Sequence, residues 1–131
     1  MKSKSLTSSL LAATVLLACV PLWAHHGTGT AYDSTKLITL KGTVTEFAWA
    51  NPHVQIYFDV RDDKGNVVHW AVETLSPGKL VRSGWNRDVL KAGDQITISL
   101  NPSKVGAPIG NLRKLVLANG KELSTDEQPR Y

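Results

Sequence analysis

Ser76-Pro77-Gly78-Lys79-Leu80-Val81-Arg82-Ser83-Gly84 is the one stretch of this chain punctuated as a helix, and its place among strand patterns decides the fold. Ser76 is a capping residue type, and Pro77 suits the first helical position, where its missing N–H leaves no bond unmade. Gly84 stands where a left-handed residue ends a helix. Residues 77–83 are therefore read as about two helical turns.

Working outward, Val54, Ile56, Phe58 and Val60 alternate with Gln55, Tyr57, Asp59 and Arg61, the period of a half-buried strand. Asp62-Asp63-Lys64-Gly65-Asn66 is a turn, and Val68, Trp70 and Val72 continue the inward face on the way back, so the two strands form a hairpin. Further upstream, Lys36 to Trp49 is a long β segment interrupted at Gly42. Ile38, Leu40 and Val44 lie on one side of it and Phe47 and Trp49 on the other, and that change of phase predicts a bulge or strong coiling near Gly42. Downstream of the helix, Ile96, Ile98 and Leu100 mark a fourth strand after the Lys91-Ala92-Gly93-Asp94 turn. Pro102 to Gly110 reads as a loop, Leu112 to Leu117 as a fifth strand, and Asn119-Gly120 as a tight turn.

Three strands, a short helix and two strands is the order of an OB-type barrel, in which the helix bridges strands three and four. A small β-sandwich is the rival, and the position of the single helix favours the barrel. The expected fold class is all-β with one short helix, a five-stranded OB-like barrel over residues 37–123. An N-terminal arm (25–36) precedes it and a flexible tail (124–131) follows. Ile56, Phe58, Val60, Val68, Trp70, Val72, Ile96 and Ile98 are expected inside, and Trp85, after Gly84, is expected to plug one end.

The first 24 residues have the pattern of an export signal: Lys2 and Lys4, an uncharged apolar run from Leu10 to Val20, and Ala24 at the cleavage position. The apolar run is too short to span a bilayer. Cleavage after Ala24 implies a periplasmic or secreted product that begins at His25. The competing reading is a lipoprotein box at Leu16-Leu17-Ala18-Cys19, which would acylate Cys19 and leave His25 inside the chain; a lipid anchor follows only in that case. Lys2 and Lys4 leave with the signal, so the formal net charge of +4 falls to +2 in the mature chain. That weak excess argues against nucleic acid, which calls for a concentrated Lys/Arg face. Cys19, the single cysteine, leaves or becomes the anchor, so no disulfide supports the domain.

His25-His26, Tyr32-Asp33, Leu40-Lys41-Gly42-Thr43-Val44, Trp49-Ala50-Asn51-Pro52-His53, Trp70-Ala71-Val72-Glu73, Gly84-Trp85, Gly93-Asp94 and Asn119-Gly120 together resemble domain-of-unknown-function family 6152, a family of exported proteins. The resemblance covers essentially the whole mature chain and implies little about function. Gly27 and Thr28 stand where the family pattern has a hydroxyl residue and then an aromatic, and His69 lies outside that pattern.

The hairpin register sorts the histidines. With the turn centred near Lys64, Asp59 faces His69 and Gln55 faces Glu73 on the outer side. His53 is then six residues from the level of His69, roughly 20 Å at the rise of a strand, so the two cannot share a metal. His69 reads as a surface partner of Asp59. His53 either begins a strand after the Asn51-Pro52 turn or serves as a ligand beside Gln55, Glu73 and Trp49, in the region that OB barrels use for binding. The candidate ligand-binding set is therefore Trp49, Asn51, His53, Gln55 and Glu73. Glu73 is expected to bond Gln55 across the strands, with the orienting of a histidine as its alternative role.

A mature chain starting at His25 would bring together an α-amine, two imidazoles and a peptide nitrogen, so the candidate metal ligands are His25, His26 and His53. Nitrogen donors without a thiolate suit copper in its oxidised form. No nucleophile, base and orienting residue stand together in the sequence, which argues against an enzyme; a metal-dependent oxidase on the same histidines is the enzymatic alternative. The leading expectation is a noncatalytic exported binding module for a small ligand or a protein partner, and the second is a copper or other transition-metal binding protein.

Overall fold

In the computed structural model, which describes residues 31–125, the chain forms β1 (Ile38–Ala48), β2 (Gln55–Arg61), β3 (Val67–Glu73), α1 (Pro77–Arg82), β4 (Gln95–Pro102), β5 (Ile109–Leu117) and β6 (Glu122–Ser124). The expected signal, with Cys19, and His25 and His26 lie outside the described residues, as do the last six positions of the expected tail. The strands pair in the order β3-β2-β1-β4-β5-β6, and a parallel pairing of β3 with β5 closes the first five into a barrel. The OB-like barrel is therefore the fold, and the sandwich is not. No helix among the described residues is long and apolar enough to cross a membrane.

The alternation in β2 and β3 sets the expected register: Ile56 lies opposite Val72, Phe58 opposite Trp70, Val60 opposite Val68, Asp59 opposite His69 and Gln55 opposite Glu73. Phe58 and Trp70 stack with ring centroids 6.4 Å apart. Val44, Val54, Ile56, Phe58, Val72, Ile96, Ile98, Leu100, Leu112 and Leu115 fill the interior. Val60 and Trp70 pack against this cluster only partly buried. Val68 departs from expectation at 37% exposed. It lies near the turn, where β3 has left the stretch paired with β5 at Ala71–Glu73, so no strand covers it.

Helix α1 closes one end of the barrel as its punctuation predicts. Pro77 opens it, Leu80 is fully buried while Val81 is 59% exposed, and Gly84 takes the left-handed conformation at φ 82°. Ser76 holds the capping position without a side-chain bond; its carbonyl instead accepts the amides of Lys79 and Leu80, both at 3.1 Å. Trp85 is buried next to the helix, and its indole N–H donates to the Ser124 carbonyl at 3.0 Å, tying the helical end to β6.

Three features differ from the sequence reading. The β1–β2 ladder is bulged between Val44 and Glu46, not at Gly42. Gly42 marks a close approach: a Cβ there would sit 2.6 Å from the Asp59 carbonyl oxygen and 2.8 Å from Phe58 Cδ2. Ile109 and Gly110 belong to β5 rather than to the preceding loop, because they carry the barrel-closing pairs with Ala71 and Val72. The Asn119-Gly120 turn leads into a sixth strand that pairs with β5 through Leu115 and Leu123 and covers its free edge.

Candidate ligand-binding cleft

The strand order brings three remote pieces of chain to one end of the β2–β3 hairpin. The first is the loop from Trp49 to Val54, which carries a cis Asn51–Pro52 peptide. The second is the foot of β3 at Glu73 and Thr74, locked to the loop by Val54 N–H to the Leu75 carbonyl at 3.0 Å and Thr74 N–H to the Val54 carbonyl at 2.9 Å. The third is the arm ahead of β1. Tyr32 bridges Ser103 in antiparallel fashion, flanked by Asp33 N–H to the Pro102 carbonyl at 2.8 Å and Lys104 N–H to the Ala31 carbonyl at 3.1 Å.

Between the first two lies a cleft of about 230 Å³ lined by Ala48, Ala50, Asn51, Pro52, His53, Gln55, Tyr57 and Glu73, and the arm reaches it only through the bond of Tyr32 to Glu73. Four of the five expected ligand-binding residues, Asn51, His53, Gln55 and Glu73, meet there. Trp49 does not line it. Its ring packs on Phe47, centroids 5.7 Å apart, and against the core. A larger depression of about 460 Å³ lies toward the opposite end of β2, lined by Lys41, Gly42, Thr43, Asp59, Arg61, Val67 and Gln95. Its polar groups are largely paired among themselves and their neighbours. Gln95 donates to Thr43 Oγ1 at 2.8 Å, and Asp59 bonds His69 Nδ1 at 2.6 Å, the surface pair that the register implies.

Hydrogen bonds fix His53, Gln55, Tyr57 and Glu73 in the cleft. His53 Nδ1 lies 2.9 Å from the Thr74 carbonyl oxygen. A carbonyl only accepts, so Nδ1 carries a proton, and Nε2 is the ring nitrogen left to face another partner. The Tyr57 hydroxyl donates to Gln55 Oε1. The Tyr32 phenol donates to the Glu73 carboxylate, and its pKa is pushed up to about 12 by burial first, then by the negative charge of Glu73 and that hydrogen bond. Gln55 and Glu73 face each other across the ladder as expected, yet neither bonds the other, and the orienting acceptor of His53 is a backbone carbonyl rather than Glu73.

Tyr57 could have been found from the sequence, because it shares the outer face of β2 with Gln55. Tyr32 and the Thr74 carbonyl could not, since both join the site through contacts distant in the chain.

The raised phenol pKa makes an expected result. Tyr32 is neutral in the folded state up to about pH 12, against 10.0 for an ordinary tyrosine. Its contribution to stability is whole below pH 10 and is lost as pH rises toward 12. A tyrosinate absorbance titration is expected to show one late step near pH 12 that Tyr32→Phe abolishes and Glu73→Gln moves downward. A late step that survives Tyr32→Phe would show that Tyr32 does not meet Glu73.

Among the described residues no three histidine, cysteine or acidic side chains come together as a metal site, and the cleft itself offers His53 and Glu73. His25 and His26, the other expected metal ligands, lie outside the described residues.

The model of a family of unknown function, DUF6152, matches residues 13–112. No curated protein matches the chain. Among solved structures, Rim1, a mitochondrial single-stranded DNA-binding protein from S. cerevisiae, superposes with a TM-score of 0.49 at 7% identity, over 63% of this chain and 93% of that one.

Proposed function

This chain belongs to the DUF6152 family, and we propose that it is an exported, noncatalytic binding protein whose ligand occupies the cleft formed by Asn51, His53, Gln55, Tyr57 and Glu73. The observation that carries this reading is convergence: the loop between β1 and β2 and the feet of two strands aim polar groups of fixed orientation into one concavity. A preformed cleft with a few placed polar groups is the usual form of a small-ligand site. The noncatalytic reading rests on how the protons are spent. His53 gives its Nδ1 proton to a backbone carbonyl, Tyr57 gives its own to an amide and Tyr32 to a carboxylate, so each bond holds shape. Export to the periplasm or beyond rests on the signal pattern of residues 1–24.

The outer face of the hairpin favours a small ligand over nucleic acid. Strand-tracking OB barrels combine a basic groove with several stacking aromatics. Here β2 and β3 present Gln55, Tyr57, Asp59 and Arg61 beside Val67, His69, Ala71 and Glu73, with acidic and basic groups mixed and one aromatic among them.

The test is an NMR titration of the mature chain, with chelator present, using amino acids, small dicarboxylates and short peptides as probes. Shifts are expected at the amides of Asn51, His53, Gln55, Tyr57 and Glu73. Shifts gathered instead around Lys41, Arg61 and Gln95, or a cleft silent to every probe, would overturn the assignment.

A further inference from the structure

We propose that the ligand of this cleft carries an ammonium group, which sits against the Glu73 carboxylate and the ring of Tyr57, with Glu46 adding attraction from the rim. The proposal rests on the reading above, that this cleft is the binding site, and it names the chemical class that fills it.

The register of three strands carries it. The bulge between Val44 and Glu46 turns Phe47 inward opposite Ile56, so Glu46 and Ala48 fall on the outer face, opposite Tyr57 and Gln55. From the other side of β2, Ala71 and Glu73 lie opposite the same two residues. Tyr57 therefore stands between Glu46 and Ala71, and Gln55 between Ala48 and Glu73. The two carboxylates flank β2 diagonally, about 10 Å apart across the sheet at two strand spacings. The basic side chain of this face belongs to the far end of β2. Arg61 is four residues beyond Tyr57, roughly 13 Å at the rise of a strand, and its guanidinium turns to the Gly65 carbonyl at 3.4 Å.

The lining suits an organic cation. It holds the Glu73 carboxylate and no lysine or arginine, and Ala48 and Ala50 leave open the space that longer side chains would fill. The Tyr32 phenol donates to Glu73 and so fixes the carboxylate without neutralising it; the remaining lone pairs are left for a ligand N–H. Gln55 Oε1, held by the Tyr57 hydroxyl, is a second acceptor whose position is set in advance. Tyr57 adds an aromatic ring at the wall, and a cation over such a ring is drawn by its quadrupole. A bare metal ion needs several ligating side chains together, and among the described residues no three histidine, cysteine or acidic groups meet. An ammonium needs only an anion, an acceptor and a ring.

The test is an NMR titration of the mature chain with three probes of equal length and different charge: n-butylammonium, butyramide and butyrate. It is run at pH 7, below the range in which amines lose their proton, and circular dichroism checks that each variant is folded. Butylammonium is expected to shift the amides of Gln55, Tyr57 and Glu73 at concentrations where the other two shift none. Glu73→Gln is expected to weaken butylammonium about ten- to a hundredfold, the weight of a hydrogen bond to a charged group, and to erase its preference over butyramide. Tyr57→Leu is expected to weaken it about two- to fivefold. Glu46→Gln is expected to weaken it by a smaller factor that added salt removes, as for any exposed charge. Triglycine and N-acetyl-triglycine separate the two sources of an ammonium: triglycine binding more tightly than butylammonium assigns the amino end of a peptide, and binding more weakly assigns a free small amine. Butyramide or butyrate shifting the cleft amides as strongly as butylammonium, or a preference that survives Glu73→Gln, overturns the ammonium assignment alone; a cleft silent to every probe takes the binding-site reading with it.

Discussion

Phe58→Ala is expected to destabilise the barrel by about 3–5 kcal/mol, the range for removing a large buried aromatic side chain. Phe58 is fully buried, lies opposite Val44 on one side and Trp70 on the other, and stacks on the Trp70 ring. Neighbours from two strands and the close approach of Gly42 surround the space it would vacate, and a closed barrel cannot collapse into that space without giving up ladder hydrogen bonds. Val68→Ala, two residues from Trp70 on the same face of β3, is expected to cost about 1 kcal/mol or less, because Val68 is 37% exposed near the hairpin turn. Urea unfolding of the two variants side by side checks this. Equal losses would mean that β3 is covered along its whole length and that the barrel closes differently.

Gly42→Ala is expected to cost about 3 kcal/mol, at or beyond the upper end for overpacking. The added Cβ would lie 2.6 Å from the Asp59 carbonyl oxygen and 2.8 Å from Phe58 Cδ2. A flexible side chain could swing away, but the carbonyl belongs to the β1–β2 ladder at the Thr43–Asp59 pair and can move only by parting the strands. Gly78→Ala is the control of opposite sign. Nothing lies within 4 Å of its Cβ position and it sits inside α1, so the change is expected to stabilise by about 0.4–1 kcal/mol. A Gly42→Ala protein as stable as wild type would show that β1 and β2 do not cross there.

The same glycine shows where sequence reading stops. The pattern in β1 does change phase, as Phe47 and Trp49 show, but the bulge falls between Val44 and Glu46. Periodicity reports that one residue has been inserted, not where, and glycine drew the assignment because bulges favour it. Gly42 is there because a neighbouring carbonyl passes too close for any side chain. The β2–β3 register was legible because strict alternation and a short turn leave a single way to bury Ile56, Phe58 and Val72 together. Helix placement distinguished barrel from sandwich for a similar reason, since its caps are local chemistry.

Half of the cleft was legible on the same grounds: once the register is known, Gln55 and Glu73 are opposite and His53 is near them. The rest depends on contacts that leave no periodic trace. Tyr32 reaches Glu73 only because the arm pairs with Ser103, and the Thr74 carbonyl is a backbone group that no side-chain pattern announces. Trp49 was misplaced because it shares the loop with Asn51 and His53, and only the packing on Phe47 shows that its ring is turned to the core.

The most direct measurement is the amide NMR spectrum of the mature chain, with chelator present, as amino acids, small dicarboxylates and short peptides are added in turn. The expected result is shifts gathered at the amides of Asn51, His53, Gln55, Tyr57 and Glu73, while the signals of His69 and Asp59, farther toward the hairpin turn, stay in place. Shifts centred on His69 and Asp59, or a cleft untouched by every probe, contradict it.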